Sequence, residues 1–186
     1  MTDTDRSIDP SPTVAPTDRF VARLEYVAMW LQSLAAQSAR GLTDPDPKTG
    51  EQWEWGQVWA HLAEFVPYWM DQVRLVVREY ETEPVPFGRV KTDSGRIAAI
   101  ERDRSRPVEE LMARLNAQLA DLRLLIDDIR PHGWRKRGLH QTLGEMTVEQ
   151  IVDEFLVGHL EEHQAQLSKL IASTATGGEA PKERPQ

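Results

Sequence analysis

Three of the five histidines in the chain could meet at one metal ion. His159 and His163 are four residues apart, and residues at this spacing lie one turn apart on the same face of a helix. Their imidazoles could therefore grip a single divalent ion. His61 lies on the apolar face of a second helical segment, which makes it the best third donor in the chain. Three neutral imidazoles would leave a coordination position open for water or substrate, as in catalytic sites.

Each of these histidines also has an ordinary interpretation as a core residue satisfied by a hydrogen bond. Steps of about 100° per residue place His159 and His163 on the inner stripe of their helix, where leucine would be expected. Burying three imidazoles without partners would cost about 1–3 kcal/mol each, and a shared metal would remove that cost. The pattern therefore favours a common metal site. Gln166, one turn beyond His163, is expected to orient a ligand ring.

Residues 159–163 also match the His-x-x-Glu-His pattern of inverted zinc proteases, in which the glutamate is the general base. Those enzymes take a further acidic ligand well downstream of the pattern. Here the helix ends soon afterwards and a tail-like segment follows, which argues against a protease. Glu162 remains a candidate catalytic base, with an ordinary solvated glutamate as the alternative.

Composition limits the function further. A chain of 186 residues with 40% apolar residues and six tryptophans is enough for one domain with a real core. The net charge of −8 argues against nucleic acid as a partner, because that grip needs a basic surface. With no cysteine, any metal must be held by histidine and carboxylate groups. The polar start and the lack of a long apolar run predict a soluble, cytoplasmic protein that does not enter a membrane.

Hydrophobic periodicity predicts an all-α protein, a four-helix bundle. The helices are expected at about 17–39, 55–79, 107–130 and 148–172, and Thr147 with Gln150 forms a capping box for the last one. No segment alternates with a period of two over a useful length, so no sheet is predicted. Pro- and Ser-rich composition predicts disordered tails at 1–16 and 174–186, which leaves one domain at 17–173.

The connection between the second and third helices, residues 80–106, is much longer than the other two. It has room for a short helix near 96–104 capped by Asp93 or Ser94. It also allows the second and third helices to run parallel, which gives an up-down-down-up order.

The chain resembles the DinB-like superfamily in three segments: residues 55–62 around His61, residues 144–151, and residues 159–167 around the histidine pair. The resemblance covers roughly residues 17–172 and rests on the combination of segments. It implies a four-helix bundle with a divalent metal on His61, His159 and His163. The chain has Glu54 where the family often has Ser or Thr at the start of the second helix, which bears on that helix boundary alone.

The resemblance also implies a range of activities. Some relatives are thiol-dependent enzymes, in which the metal activates the thiol of a low-molecular-weight cofactor such as mycothiol or bacillithiol for transfer or isomerisation. Others are described as metal-dependent hydrolases. Zinc is the first expectation for neutral imidazoles, with nickel, iron and manganese open. Because the chain has no cysteine, a thiol would have to come from the cofactor.

For the wall of a small-molecule pocket, the sequence points to aromatic and basic residues. Trp59, with Trp55 and Trp134, could line it, and Arg135 and Arg137 could meet an anionic group, although a basic run in a loop is often merely solvated. His132 and His140 could be an extra ligand or a proton shuttle, or simply surface residues. The alternative to an enzyme is a bundle with a structural metal whose exposed faces bind a partner, including a second copy in a homodimer.

Overall fold

The computed structural model describes residues 15–47 and 49–176. Of the tails predicted at 1–16 and 174–186, residues 1–14 and 177–186 lie outside the described residues. The helices are α1 (Pro16–Ala35), α2 (Trp55–Glu79), α3 (Ser94–Asp103), α4 (Val108–Asp128), α5 (Val148–Val152) and α6 (Gly158–Thr176), with a π-helical turn at Asp153–Val157 and a 3-10 turn at Gly133–Arg135. The strands are β1 (Val85–Phe87), β2 (Arg137–His140) and β3 (Gly144–Thr147).

α5, the π-helical turn and α6 follow one another without a break and form the fourth long helix of the bundle. The predicted capping box begins it, since the Thr147 side chain accepts from the backbone N–H of Gln150 and the Gln150 side chain accepts from the backbone N–H of Thr147. The helix continues to Thr176, beyond the predicted end at 172 and into the predicted tail.

α1 and α4 run antiparallel. Glu25 pairs with Arg123, while Gln32, further along α1, pairs with Asn116, which is earlier in α4. α1 ends at Ala35, short of the predicted 39. The chain therefore leaves the helix about one turn before the predicted end.

α2 and α4 run parallel. The start of α2 lies beside the segment that leads into α4, because Arg104 pairs with Glu54. The end of α2 lies beside the segment that follows α4, because the Lys136 ammonium donates to the carbonyl oxygen of Val77. The long connection at 80–107 makes this crossing possible, and it carries the predicted short helix as α3, with Asp93 as the N-cap.

α2 and the fourth helix run antiparallel. Trp69 stacks on Phe155 with 4.0 Å between ring centroids, while His61, two turns earlier in α2, lies 4.9 Å from His163, two turns later in the fourth helix. Combined with the other two pairs, this gives the predicted up-down-down-up order.

The core of the bundle contains Trp59. The other largest fully buried side chains are Phe20, Leu31, Leu62, Phe65, Leu111, Leu115, Leu122, Ile126, Ile151, Leu156 and Leu160.

The prediction that the chain has no sheet is wrong. β1 pairs with β2 in parallel, and β2 pairs with β3 antiparallel. These strands are three or four residues long, too short for a period of two to stand out. The parallel pair also depends on a tertiary contact, since a Cβ at Gly138 would lie 2.5 Å from the Phe87 ring. Within the described residues, no helix combines the length and apolar character that a membrane span requires.

The π-helical turn widens the fourth helix just before the histidine pair. The backbone N–H of Gly158 donates to the carbonyl oxygen of Asp153, five residues earlier. Such turns are rare and are often found at functional sites. A Cβ at Gly158 would lie 2.5 Å from that carbonyl oxygen, so the turn requires glycine at this position.

We expect Gly158→Ala to reduce the free energy of unfolding by about 1–3 kcal/mol, because the added methyl group overpacks the turn. Urea unfolding measures this change. The comparison variant Ala165→Gly lies at an exposed site on the same helix and should reduce the free energy of unfolding by about 1 kcal/mol, the effect of helix propensity alone. A gain in stability for Gly158→Ala, which is usual for a helical glycine, would show that the turn does not constrain this residue.

Candidate metal centre

Three imidazole nitrogens converge between α2 and α6. The Nε2 atom of His159 lies 3.1 Å from Nε2 of His61 and 3.1 Å from Nε2 of His163. Two nitrogens that each bind zinc at about 2.0–2.1 Å lie about 3.3–3.4 Å apart at the tetrahedral angle. The structure thus brings the three predicted ligands together at nearly the separation that a shared ion requires.

Aromatic rings hold the three imidazoles in place. Trp53 stacks on His163 with 5.7 Å between centroids and 7° between planes, and it meets His61 edge-on at 4.7 Å. Phe65, one turn after His61, packs against His61 at 5.1 Å and against His159 at 4.8 Å. The rings are therefore oriented by packing, independently of any ligand.

Hydrogen bonds fix the tautomers of the histidine pair. Nδ1 of His163 donates to Oε1 of Gln166 over 2.8 Å, and Nδ1 of His159 donates to the Glu162 carboxylate over 3.3 Å. Since both protons sit on Nδ1, both Nε2 atoms carry lone pairs. Partners of this kind commonly orient metal-binding histidines. Gln166 lies where the sequence predicted an orienting partner.

His61 completes the set from α2. It is buried, and within the described chain its Nδ1 atom has no hydrogen-bond partner. The Glu64 carboxylate lies 3.9 Å from this atom, beyond hydrogen-bond distance, and accepts instead from Arg89 over 2.7 Å. Among the described residues, no side chain thus fixes the tautomer of His61 through its Nδ1 atom, unlike those of His159 and His163.

The charge state of the cluster suits a cation. Burial, followed by the charges of the neighbouring histidines, lowers the pKa of His61 well below its ordinary value, and burial likewise lowers the pKa of His163. Both rings are therefore neutral at neutral pH, which is the form that binds metal. The His159 and His163 lone pairs face each other at 3.1 Å and repel, and a cation between them would remove the repulsion. The donor set fits a divalent ion.

A cavity of about 540 Å³ opens onto the three imidazoles. This volume is typical of a small-molecule site. Its wall comes from the α1–α2 connection, α2, the segment after β1, α3, the β2–β3 hairpin and the fourth helix. Besides the three histidines it is lined by Thr43, Asp44, Asp46, Pro47, Glu51, Trp53, Trp69, Arg89, Val90, Lys91, Arg96, His140, Thr142, Leu143, Glu154, Phe155, Glu162 and Gln166.

Glu162, the predicted catalytic base, lies at this cavity. Its hydrogen bond with His159 is the main reason that the pKa of Glu162 is lowered. The group is therefore a carboxylate at neutral pH, and in this structure it orients His159. A direct part in the reaction stays a prediction.

Trp59, predicted to line a small-molecule pocket, does not reach the cavity. Its side chain is fully buried and packs edge-on against Trp55 with 5.7 Å between centroids. Trp59 precedes His61 by two residues, so it points about 200° away around α2. Trp134 is also a core residue, stacked on Phe20 at 5.5 Å.

Arg135 and Arg137, predicted to meet an anionic group, also lie away from the cavity. Arg137 donates to Glu145 over 2.6 Å and to the Tyr80 hydroxyl over 3.1 Å. Their segment lies beside Val77 at the end of α2, about 24 Å along the helix axis from His61 at a rise of about 1.5 Å per residue. Neither cation is among the residues that line this cavity.

The other two histidines are separate from the cluster. His132 is exposed beside the 3-10 turn. His140 is buried in the cavity wall, where its Nδ1 atom accepts from the backbone N–H of Leu143 over 3.3 Å. Its proton is therefore on Nε2, which has no hydrogen-bond partner among the described residues.

Sequence reasoning did not single out two residues that shape the site. Trp53, which contacts two of the imidazoles, was not separated from the other tryptophans. Arg96 lies on the short helix predicted in the long connection, in the first turn after the Asp93 cap. Its position near the histidines depends on the path of that connection, which the sequence does not indicate.

The fold and the site define a four-helix bundle of up-down-down-up order with a candidate three-histidine metal centre on one cavity. No model of a known protein family matches the chain, and no curated protein matches its sequence. Among solved structures it is similar to YfiT from Bacillus subtilis, with a TM-score of 0.69 and 18% sequence identity over 91% of this chain and 93% of that one. YfiT is described as a probable metal-dependent hydrolase with an unusual four-helix bundle topology. The predicted resemblance is confirmed at the level of the fold.

We expect each of His61→Ala, His159→Ala and His163→Ala to abolish tight binding of a divalent ion, because two imidazoles hold an ion far less firmly than three. Elemental analysis after dialysis against zinc measures the stoichiometry. His132→Ala and His140→Ala are matched controls and should keep about one ion per chain, as expected for one three-histidine centre. Retained metal in His61→Ala together with lost metal in His140→Ala would mean that the third ligand is misassigned.

Proposed function

We propose that the protein is a metal-dependent enzyme in which His61, His159 and His163 hold one divalent ion. The observation that carries this proposal is the convergence of three Nε2 atoms on the wall of a cavity large enough for a substrate. Zinc is the expected ion for three neutral imidazoles, and nickel, iron or manganese would also suit them.

A divalent ion bound there supplies a Lewis acid that lowers the pKa of a water or thiol, so that a nucleophile exists at neutral pH. The protein's own groups prepare the site. Gln166 and Glu162 keep the lone pairs of His163 and His159 aimed inward. Trp53 and Phe65 prevent the rings from turning away.

Two reactions suit this arrangement. The resemblance to thiol-dependent relatives supports transfer from a low-molecular-weight thiol such as mycothiol or bacillithiol, which the cavity has the volume to admit. The description of YfiT supports hydrolysis as the second candidate. Because the chain has no cysteine, a thiol reaction must depend on an added cofactor, and this dependence separates the two activities.

A structural metal site in a non-enzymatic bundle is the contrasting possibility. Such sites are closed by four protein ligands. Among the described residues, the cluster able to bind an ion has three members, and it borders a cavity. These two features support the enzyme over the structural site.

The test measures two reactions with zinc-loaded and chelator-stripped protein. Conjugation of monochlorobimane is followed with mycothiol, bacillithiol or no thiol, and hydrolysis of 4-nitrophenyl acetate is followed without thiol. We expect one of the two reactions to fall at least about 100-fold on metal removal and in His163→Ala, and to recover on reloading the wild type. Equal turnover by the stripped and loaded protein in both reactions would contradict the proposal.

A further inference from the structure

Arg96 is a buried cation on the wall of the histidine cavity. It lies in the first turn of α3, and only 9% of its surface is exposed. Its guanidinium carbon lies 5.2 Å from the ring centroid of Trp53, the same indole that stacks on His163. A single aromatic side chain therefore contacts both the guanidinium and the candidate metal centre.

Among the described residues, Arg96 has no counter-ion of the kind that its neighbours have. Arg89 pairs with Glu64 over 2.7 Å, and Lys91 pairs with Asp46 over 2.8 Å. Within residues 15–47 and 49–176, no carboxylate oxygen lies within 4.0 Å of the Arg96 guanidinium. The two cations beside it on the cavity wall are thus neutralised, and Arg96 is not.

The hydrogen bonds of Arg96 leave one edge of the guanidinium available. Nη1 donates to the carbonyl oxygen of Lys91 over 2.9 Å, which holds the group in the wall. The Nε and Nη2 atoms make no hydrogen bond to the described part of the chain. These two donors form a planar fork of the kind that binds both oxygens of one carboxylate.

Burial without a partner makes this charge costly. Desolvation lowers the pKa of Arg96, and the carboxylate that most offsets this effect, Glu51, is an exposed residue that does not reach ion-pair distance. Arginine nevertheless stays protonated in proteins. Buried charges are normally paired with an opposite charge, because desolvating an ion without one is unfavourable. An anionic ligand in the cavity would supply the missing partner.

We propose that Arg96 binds a carboxylate group of the substrate and places the reacting end of that substrate beside the three histidines. The proposal rests on the proposed function, whose substrate class it narrows to small carboxylates. A carboxylate is favoured over a phosphate because one planar fork remains here, whereas phosphate sites usually combine several cationic or N–H donors. The neutralised Arg89 and Lys91 do not add to such a set.

The test compares acid and amide probes on the zinc-loaded protein by isothermal titration calorimetry. The probes are thioglycolate, 3-mercaptopropionate, 4-mercaptobutyrate and 5-mercaptopentanoate with their primary amides, so that the thiol can reach the metal and the chain length varies. We expect wild type to bind the acid at least about 10-fold more tightly than the amide at the best length, in line with a buried charge pair. Equal affinities at every length would overturn the proposal without any variant.

Two variants test whether Arg96 causes the preference for the acid over the amide. Arg96→Gln should bind the acid and the amide equally, with unchanged metal content and unchanged affinity for the amide, whereas the control Arg135→Gln should keep the full preference. Arg96→Lys keeps the charge but loses the fork, so it should retain only part of the preference. A preference that survives intact in a folded Arg96→Gln variant would overturn the assignment.

A further experiment distinguishes failure of the carboxylate site from failure of the proposed function. Metal-free protein is titrated with benzoate and benzamide while the Arg96 Nε–H resonance is followed by NMR. A shift with benzoate alone supports carboxylate binding at Arg96 even if zinc does not bind and the proposed function fails. No shift with benzoate, in protein that binds zinc normally, would overturn the carboxylate site and leave the metal centre standing.

Discussion

Repulsion between imidazole lone pairs is the interaction on which the rest of the site depends. Glu162 and Gln166 accept hydrogen bonds from the Nδ1 atoms of His159 and His163 and so keep both protons on Nδ1. The two Nε2 atoms therefore face each other at 3.1 Å without a proton between them. A cation bound between these nitrogens would remove the repulsion. The hydrogen bonds that impose the repulsion are also those that would make the nitrogens better metal ligands. This repulsion, and its removal by a cation, is the physical reason to regard the three histidines as a candidate metal site.

The topology brings the candidate metal centre and the cavity to the same end of the bundle. Antiparallel packing of α2 against the fourth helix places His61 beside the histidine pair. Parallel packing of α2 and α4 requires a long crossing, and this crossing carries Arg89, Lys91 and α3 past the open side of the cluster. The same connection that fixes the order of the helices thus supplies the charged wall of the cavity.

Much of the fold was predictable because its signals are local. The bounds of α2 at residues 55 and 79, the Thr147 cap and the Asp93 cap follow from periodicity and capping chemistry. The convergence of His61 with the histidine pair followed from helical spacing. The direction of Trp59, away from His61 and the cavity, could have been read from the two-residue spacing on one helix. The sheet and the position of Arg137 could not, because each depends on contacts between distant segments, such as Phe87 against Gly138, which no window of sequence contains.

X-ray absorption spectroscopy of the zinc-loaded protein shows whether the three histidines bind the ion, because it reports the ligands of the ion itself. We predict three imidazole nitrogens at about 2.0–2.1 Å and at least one further light atom from solvent. That further scatterer should change when a thiol such as 3-mercaptopropionate is added, with a sulfur shell appearing at about 2.3 Å. Fewer than three imidazoles, or a carboxylate that closes the fourth position and excludes the thiol, would contradict this prediction.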